Sequence, residues 1–156
     1  MSCDVAAALT LWLATVAAHP HAEAARLLQT VSVVTEPSSL AHEPLYADIV
    51  ARAKALKKEV ERYQAAGGAT PDFDRFKSRI EALSALDMKG HLDLAQRGTD
   101  GDLKCILKGI SQDLPRKLDE VAGATTADAR IKALKDMAYL LNDNVEVITA
   151  PPQPPA

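Results

Sequence analysis

Apolar positions along this chain repeat at helical spacing in block after block. In the last block Ile131, Leu134, Ala138, Leu141, Val145 and Ile148 follow gaps of three and four, with Arg130, Lys132, Lys135, Asp136, Asn142, Asp143, Asn144 and Glu146 filling the other faces. That period places one apolar stripe along one side of a helix. The same pattern recurs at Tyr46, Ile49, Val50, Ala53, Leu56, Val60 and Tyr63. It returns at Phe73, Phe76, Ile80, Leu83 and Leu86, and at Leu103, Ile106, Leu107, Ile110, Leu114, Leu118 and Val121. Four stripes need mutual cover, and short turns force antiparallel neighbours. The spacing predicts an all-α fold: an up-down four-helix bundle over residues 45–148, with an additional N-terminal helical hairpin over 1–36 and an extended proline-rich tail over 149–156.

Turn chemistry sets the expected boundaries. His19-Pro20 breaks the first hairpin helix, and Glu36 to Pro44, with two prolines, reads as the loop into the bundle. Gly67-Gly68 ends the first bundle helix. Thr70 is the expected N-cap of the second, with Pro71 at its first position. The apolar phase slips near Met88-Lys89-Gly90, so a kink or short break is expected there. Gly98-Thr99-Asp100-Gly101 is a turn. Pro115 lies inside the third stripe without disturbing its phase, which predicts a kinked helix or two collinear pieces. Thr125 and Thr126 cap the last helix.

Composition narrows the function classes. The 156 residues are 47% hydrophobic but only 4% aromatic, and the net charge is −3. That suits one globular domain and argues against a nucleic-acid partner, which would demand a basic stripe. The cluster Arg52, Lys54, Lys57 and Lys58 reads as the solvated face of its helix. Residues 5–18 are uncharged, yet too short to span a membrane. They have the length of a signal core, and Ala22-Glu23-Ala24 resembles a cleavage site. Asp4 and the helical spacing of Leu9, Trp12, Leu13 and Val16 favour a buried helix instead. Cys3 and Cys105 either pair or stay thiols; spacing does not choose.

Candidate chemistry is sparse. His19 and His21 would supply two metal ligands where zinc takes four. His42 and His91 stand alone. Asp100 and Asp102 hint at calcium without the remaining ligands. Asp72, Asp74, Asp119 and Glu120 read as helix-end and surface charges, and Trp12, Met88 and Met137 as core fillers. No catalytic, cofactor-binding or metal residue is assigned, and no enzymatic activity is expected.

Two resemblances extend this reading. Asp136-Met137 followed by Leu141-Asn142-Asp143-Asn144 resembles the haem-ligand helix of the cytochrome b562 family, with a spacing one residue longer. That family's second ligand, a C-terminal His, has no counterpart, so His91 would have to replace it. Leu118-Asp119, Ala122, a polar turn, Asp128-Ala129 and the last amphipathic helix are similar to the final two helices of the extrinsic Q-type subunit of photosystem II. That resemblance implies a non-enzymatic bundle docked on a membrane complex, with protein partners and peripheral membrane association. It places the chain in a thylakoid lumen, or a periplasm, if residues 5–24 are a processed signal, and in the cytoplasm otherwise. The alternative is a soluble bundle that binds a small ligand or haem in its core.

Overall fold

A computed structural model describes residues 38–98 and 101–150. The expected N-terminal hairpin, the signal-like segment with Trp12, the His19/His21 pair, Asp100, the Cys3 end of any disulfide and the proline tail beyond Ala150 lie outside the described residues. What is described is all-α: a 3₁₀ turn Ser39–His42, then α1 (Pro44–Ala65), α2 (Phe73–Gln96), α3 (Asp102–Gly123) and α4 (Ala127–Thr149). At 1.5 Å per residue each helix is roughly 33–36 Å long. Each packs on its neighbours in chain order, and α4 closes the ring on α1. The up-down four-helix bundle is therefore present.

The ends of the helices follow from local chemistry. Pro44 opens α1 at a position where no backbone donor is needed. At the other end the Gly67 N–H donates to the Gln64 carbonyl at 3.1 Å and the Gly68 N–H to the Tyr63 carbonyl at 2.9 Å. This is the Schellman pattern, with Gly67 at φ 69°. Thr126 caps α4 as expected, its hydroxyl accepting from the Ala129 N–H at 3.2 Å. The Arg130 guanidinium donates to the Ala124 carbonyl just past α3 at 2.8 Å.

Several boundaries differ from the sequence expectation. Part of the loop expected over 36–44 is the 3₁₀ turn, and α4 runs through Thr149. Helix α2 begins at Phe73 rather than at Pro71, because Asp72 adopts a left-handed conformation (φ 57°) and interrupts the chain after Thr70-Pro71. Nor is α2 broken at residues 88–90. Its buried positions are Phe76, Ile80, Leu83, Asp87, Gly90 and Leu94, an unbroken alternation of four and three. The slip in the apolar phase arises because two core positions hold a carboxylate and a glycine. Gly90 sits where a side chain would meet Leu107 at 3.2 Å, Tyr46 at 3.3 Å and Ile49 at 3.4 Å.

A single helix runs through Pro115. Proline leaves the carbonyl four residues back without its donor. That carbonyl belongs to Ser111, and the Ser84 hydroxyl of α2 donates to it at 2.6 Å. On α4 the buried set is Ala133, Leu134, Met137, Leu141, Asn144 and Ile148. Ile131, Ala138 and Val145 of the expected stripe are half-buried flanks. The buried face is turned towards Ala133, Met137 and Asn144. Leu56, Val60, Ile80, Leu83, Leu107, Leu114, Leu118, Leu134 and Leu141 are almost fully excluded from water. Each stabilises the fold by about 1.5–3 kcal/mol relative to an exposed side chain.

Candidate functional site

Polar side chains gather at three places. The first is the end of the bundle where α1 turns into α2. Glu59 falls on the inner side of α1 beside Val60 and is only 8% exposed. A buried carboxylate needs hydrogen-bond partners or a countercharge. It has both: the Tyr63 hydroxyl donates at 2.7 Å to one oxygen, and the Arg79 guanidinium of α2 pairs with the other. Tyr63 also reaches the Pro71 carbonyl at 3.2 Å and stands edge-on to Phe76, ring centres 5.3 Å apart. Burial first, then the bond to Glu59, push the Tyr63 phenol up to about 12, so it stays a neutral donor. This fixed cluster forms the floor of an open groove of about 400 Å³, flanked by Arg62 and Arg75. Neither of those guanidinium groups is hydrogen-bonded or ion-paired among the described residues.

The second place is the opposite end. The Tyr46 hydroxyl donates to Asp93 at 2.7 Å and to the Gly90 carbonyl at 3.2 Å. Arg97 grips Glu43 through two bonds, 3.0 and 2.6 Å, and lies 2.9 Å from Asp93. Its guanidinium carbon is 6.0 Å from the centre of the Tyr46 ring. Burial and the bond to Asp93 raise the Tyr46 phenol well above its ordinary range. The Arg97 hydrogen bond holds the Glu43 carboxyl below its own. This network ties the start of α1 to the end of α2. The third place is the centre of the core, where the Asn144 amide of α4 donates to Asp87 of α2 at 2.9 Å.

The residues singled out from the sequence are scattered. His42 is exposed on the 3₁₀ turn, and His91 is half-buried with its Nδ1 at 2.6 Å from the Lys104 carbonyl. Met137 is wholly buried in the core. Its neighbour Asp136 lies 3.9 Å from Lys117. Lys104 and Lys117 are thirteen residues apart on α3, about 20 Å of helix, so the bundle does not bring His91 and Met137 to one iron. Among the described residues no three metal-ligating side chains converge. Of the basic cluster on α1, Arg52 pairs with Asp48 and Lys57 donates to Asn142 of α4 at 2.7 Å, while Lys54 and Lys58 are exposed. Asp74 sits in the first turn of α2, and Glu120 pairs with Lys117.

Sequence reasoning passed over Glu59, Arg62, Arg75 and Arg79, because each looks like an ordinary helix-surface charge. Glu59 alone carried a signal: it lies three residues after Leu56 and four before Tyr63, inside the apolar stripe. No helix among the described residues is long and apolar enough to cross a membrane. The chain matches no protein-family model, no curated protein and no solved structure.

Proposed function

We propose that this chain is a non-enzymatic helical-bundle subunit that docks on a larger protein assembly through the arginine groove between α1 and α2. The observation that carries this reading is the pair of guanidinium groups, Arg62 and Arg75, that have no partner among the described residues and stand on a floor fixed by Glu59, Tyr63 and Arg79. Arginine and tyrosine are enriched at binding hot spots, where a rigid cation on an apolar stem finds a carboxylate fork. The partner surface that fits is acidic. The resemblance to the Q-type subunit points to a membrane complex as the assembly, with the bundle associated at its periphery.

The test is capture of the tagged full chain at native abundance, followed by mass spectrometry of intact complexes and of the mature N-terminus. Stoichiometric co-purification with a membrane complex, lost in Arg62→Glu/Arg75→Glu, supports the reading. A monomer with no stable partner overturns it. Titration with haem, read as a visible absorption band lost in Met137→Ala, would instead favour a cofactor-binding bundle.

A further inference from the structure

Asp87 and Asn144 face each other across the middle of the bundle, one on α2 and the other on α4. Both are fully excluded from solvent. One hydrogen bond joins them, from the Asn144 amide nitrogen to Asp87 Oδ2 at 2.9 Å. The remaining oxygen of each, Asp87 Oδ1 and Asn144 Oδ1, has no partner among the described residues. Two orphaned acceptors in one buried pair form an incomplete arrangement, since a buried acceptor left unpaired loses the hydrogen bonds water would give it.

A single proton completes the pair. A protonated carboxyl is a donor as well as an acceptor, and the acceptor without a partner in this pair is the Asn144 carbonyl oxygen. An ionised Asp87 would instead be a dry charge with one neutral donor and no cation. The elements packed around it supply none. Among buried titratable groups α1 offers Tyr46, Glu59 and Tyr63, each bonded to a group other than Asp87; α3 and α4 bury none. None of the half-buried charges on those helices, Asp48 and Lys57 of α1, Lys104, Lys108, Asp113 and Lys117 of α3, and Arg130, Asp136 and Asp143 of α4, shifts Asp87; on α2, Asp93 is bonded to Tyr46 and Arg97, and His91 lies against the Lys104 carbonyl.

We propose that Asp87 keeps its proton in the folded protein at neutral pH and closes a two-bond acid–amide ring with Asn144, making the core a latch that holds in acid and loosens in mild alkali. Burial raises the carboxyl to about 8, against the smaller opposing pull of the Asn144 donor. Between the ordinary aspartate range and about 8 the folded chain holds one more proton than the unfolded chain. The stability that this pair contributes is therefore complete in acid and is lost as pH rises towards about 8. On losing the proton to water, Asp87 leaves the Asn144 oxygen without a donor and an uncompensated charge in the core.

The test compares the full chain with Asp87→Asn, whose amide can form the same ring with no titrating proton. Between about pH 5 and about pH 8 the folding equilibrium constant of the parent should fall relative to the variant by up to about tenfold per pH unit. Parallel pH profiles for the two proteins would overturn the proposal. A second measurement needs no variant: carbon-13 spectra of the parent labelled at the aspartate carboxyl. One carboxyl carbon should hold the protonated shift at about pH 6.5 and move only near about pH 8. If every aspartate shows the ionised shift at about pH 6.5, the proposal fails.

Discussion

The hydroxyl of Ser84 on α2 fills the place of the donor that Pro115 removes from α3. It bonds the Ser111 carbonyl at 2.6 Å, the very group that an N–H at position 115 would have engaged. A proline in mid-helix is thus tolerated because a neighbouring helix satisfies the freed carbonyl. Ser84→Ala should cost about 1–2 kcal/mol in urea unfolding, the loss expected when a partly buried acceptor is left bare. Pro115→Ala restores the helical donor and should leave stability equal or higher. In the Pro115→Ala background the Ser84→Ala cost should shrink, since the carbonyl then has its own N–H. A double-mutant cycle reads that coupling directly.

Gly90→Ala tests a close approach between helices in the core. Alanine in mid-helix gains about 1 kcal/mol of propensity over glycine. Its methyl would press on Leu107, Tyr46 and Ile49 at 3.2–3.4 Å. The Leu107 tip can turn away, but the Tyr46 ring is pinned by its bonds to Asp93 and the Gly90 carbonyl. Overpacking of about 1–3 kcal/mol should win, and the melting temperature should drop.

Two other glycines should answer differently. Gly67 has open space around it but a left-handed backbone at φ 69°, so Gly67→Ala should lose about 1–2 kcal/mol to strain. Gly109 lies inside α3, and a methyl added there would meet nothing within 4 Å. Gly109→Ala should therefore gain about 0.5–1 kcal/mol. Thermal melts of the two variants should move in opposite directions.

Arg97 joins Glu43 and Asp93 at the surface, where water and salt screen charges. Arg97→Ala should lower the melting temperature in dilute buffer. The difference from the parent should fade in about 1 M salt, where screening acts within about 3 Å. A difference that does not change with salt would mean that stacking on Tyr46 dominates the role of Arg97.

The four helices of the bundle, their apolar stripes and the capping by Thr126 were legible because they rest on the 3.6-residue period and on local chemistry. The arrangement at Asp87, Gly90 and Asn144 was not. A pattern built on apolarity treats a carboxylate, a glycine and an amide as outward-facing, yet all three occupy core positions in α2 and α4. Their burial depends on partners far away in the chain: Asn144 for Asp87, and the Tyr46 ring for Gly90. The arginine groove was equally hidden. Arg62, Arg75 and Arg79 belong to two helices, and only the tight turn at Gly67-Gly68 brings them together.

The Ser38 N–H donates to the Thr149 carbonyl at 3.1 Å, which stitches the entry of the bundle to its exit. The ring of helices has a seam rather than two loose ends. A polypeptide joined across that seam and reopened between α2 and α3 would trace the same circuit from a different starting point. Order along the chain is therefore a weaker constraint on this architecture than which helix faces meet, and circular permutation between Gly98 and Gly101 should preserve it.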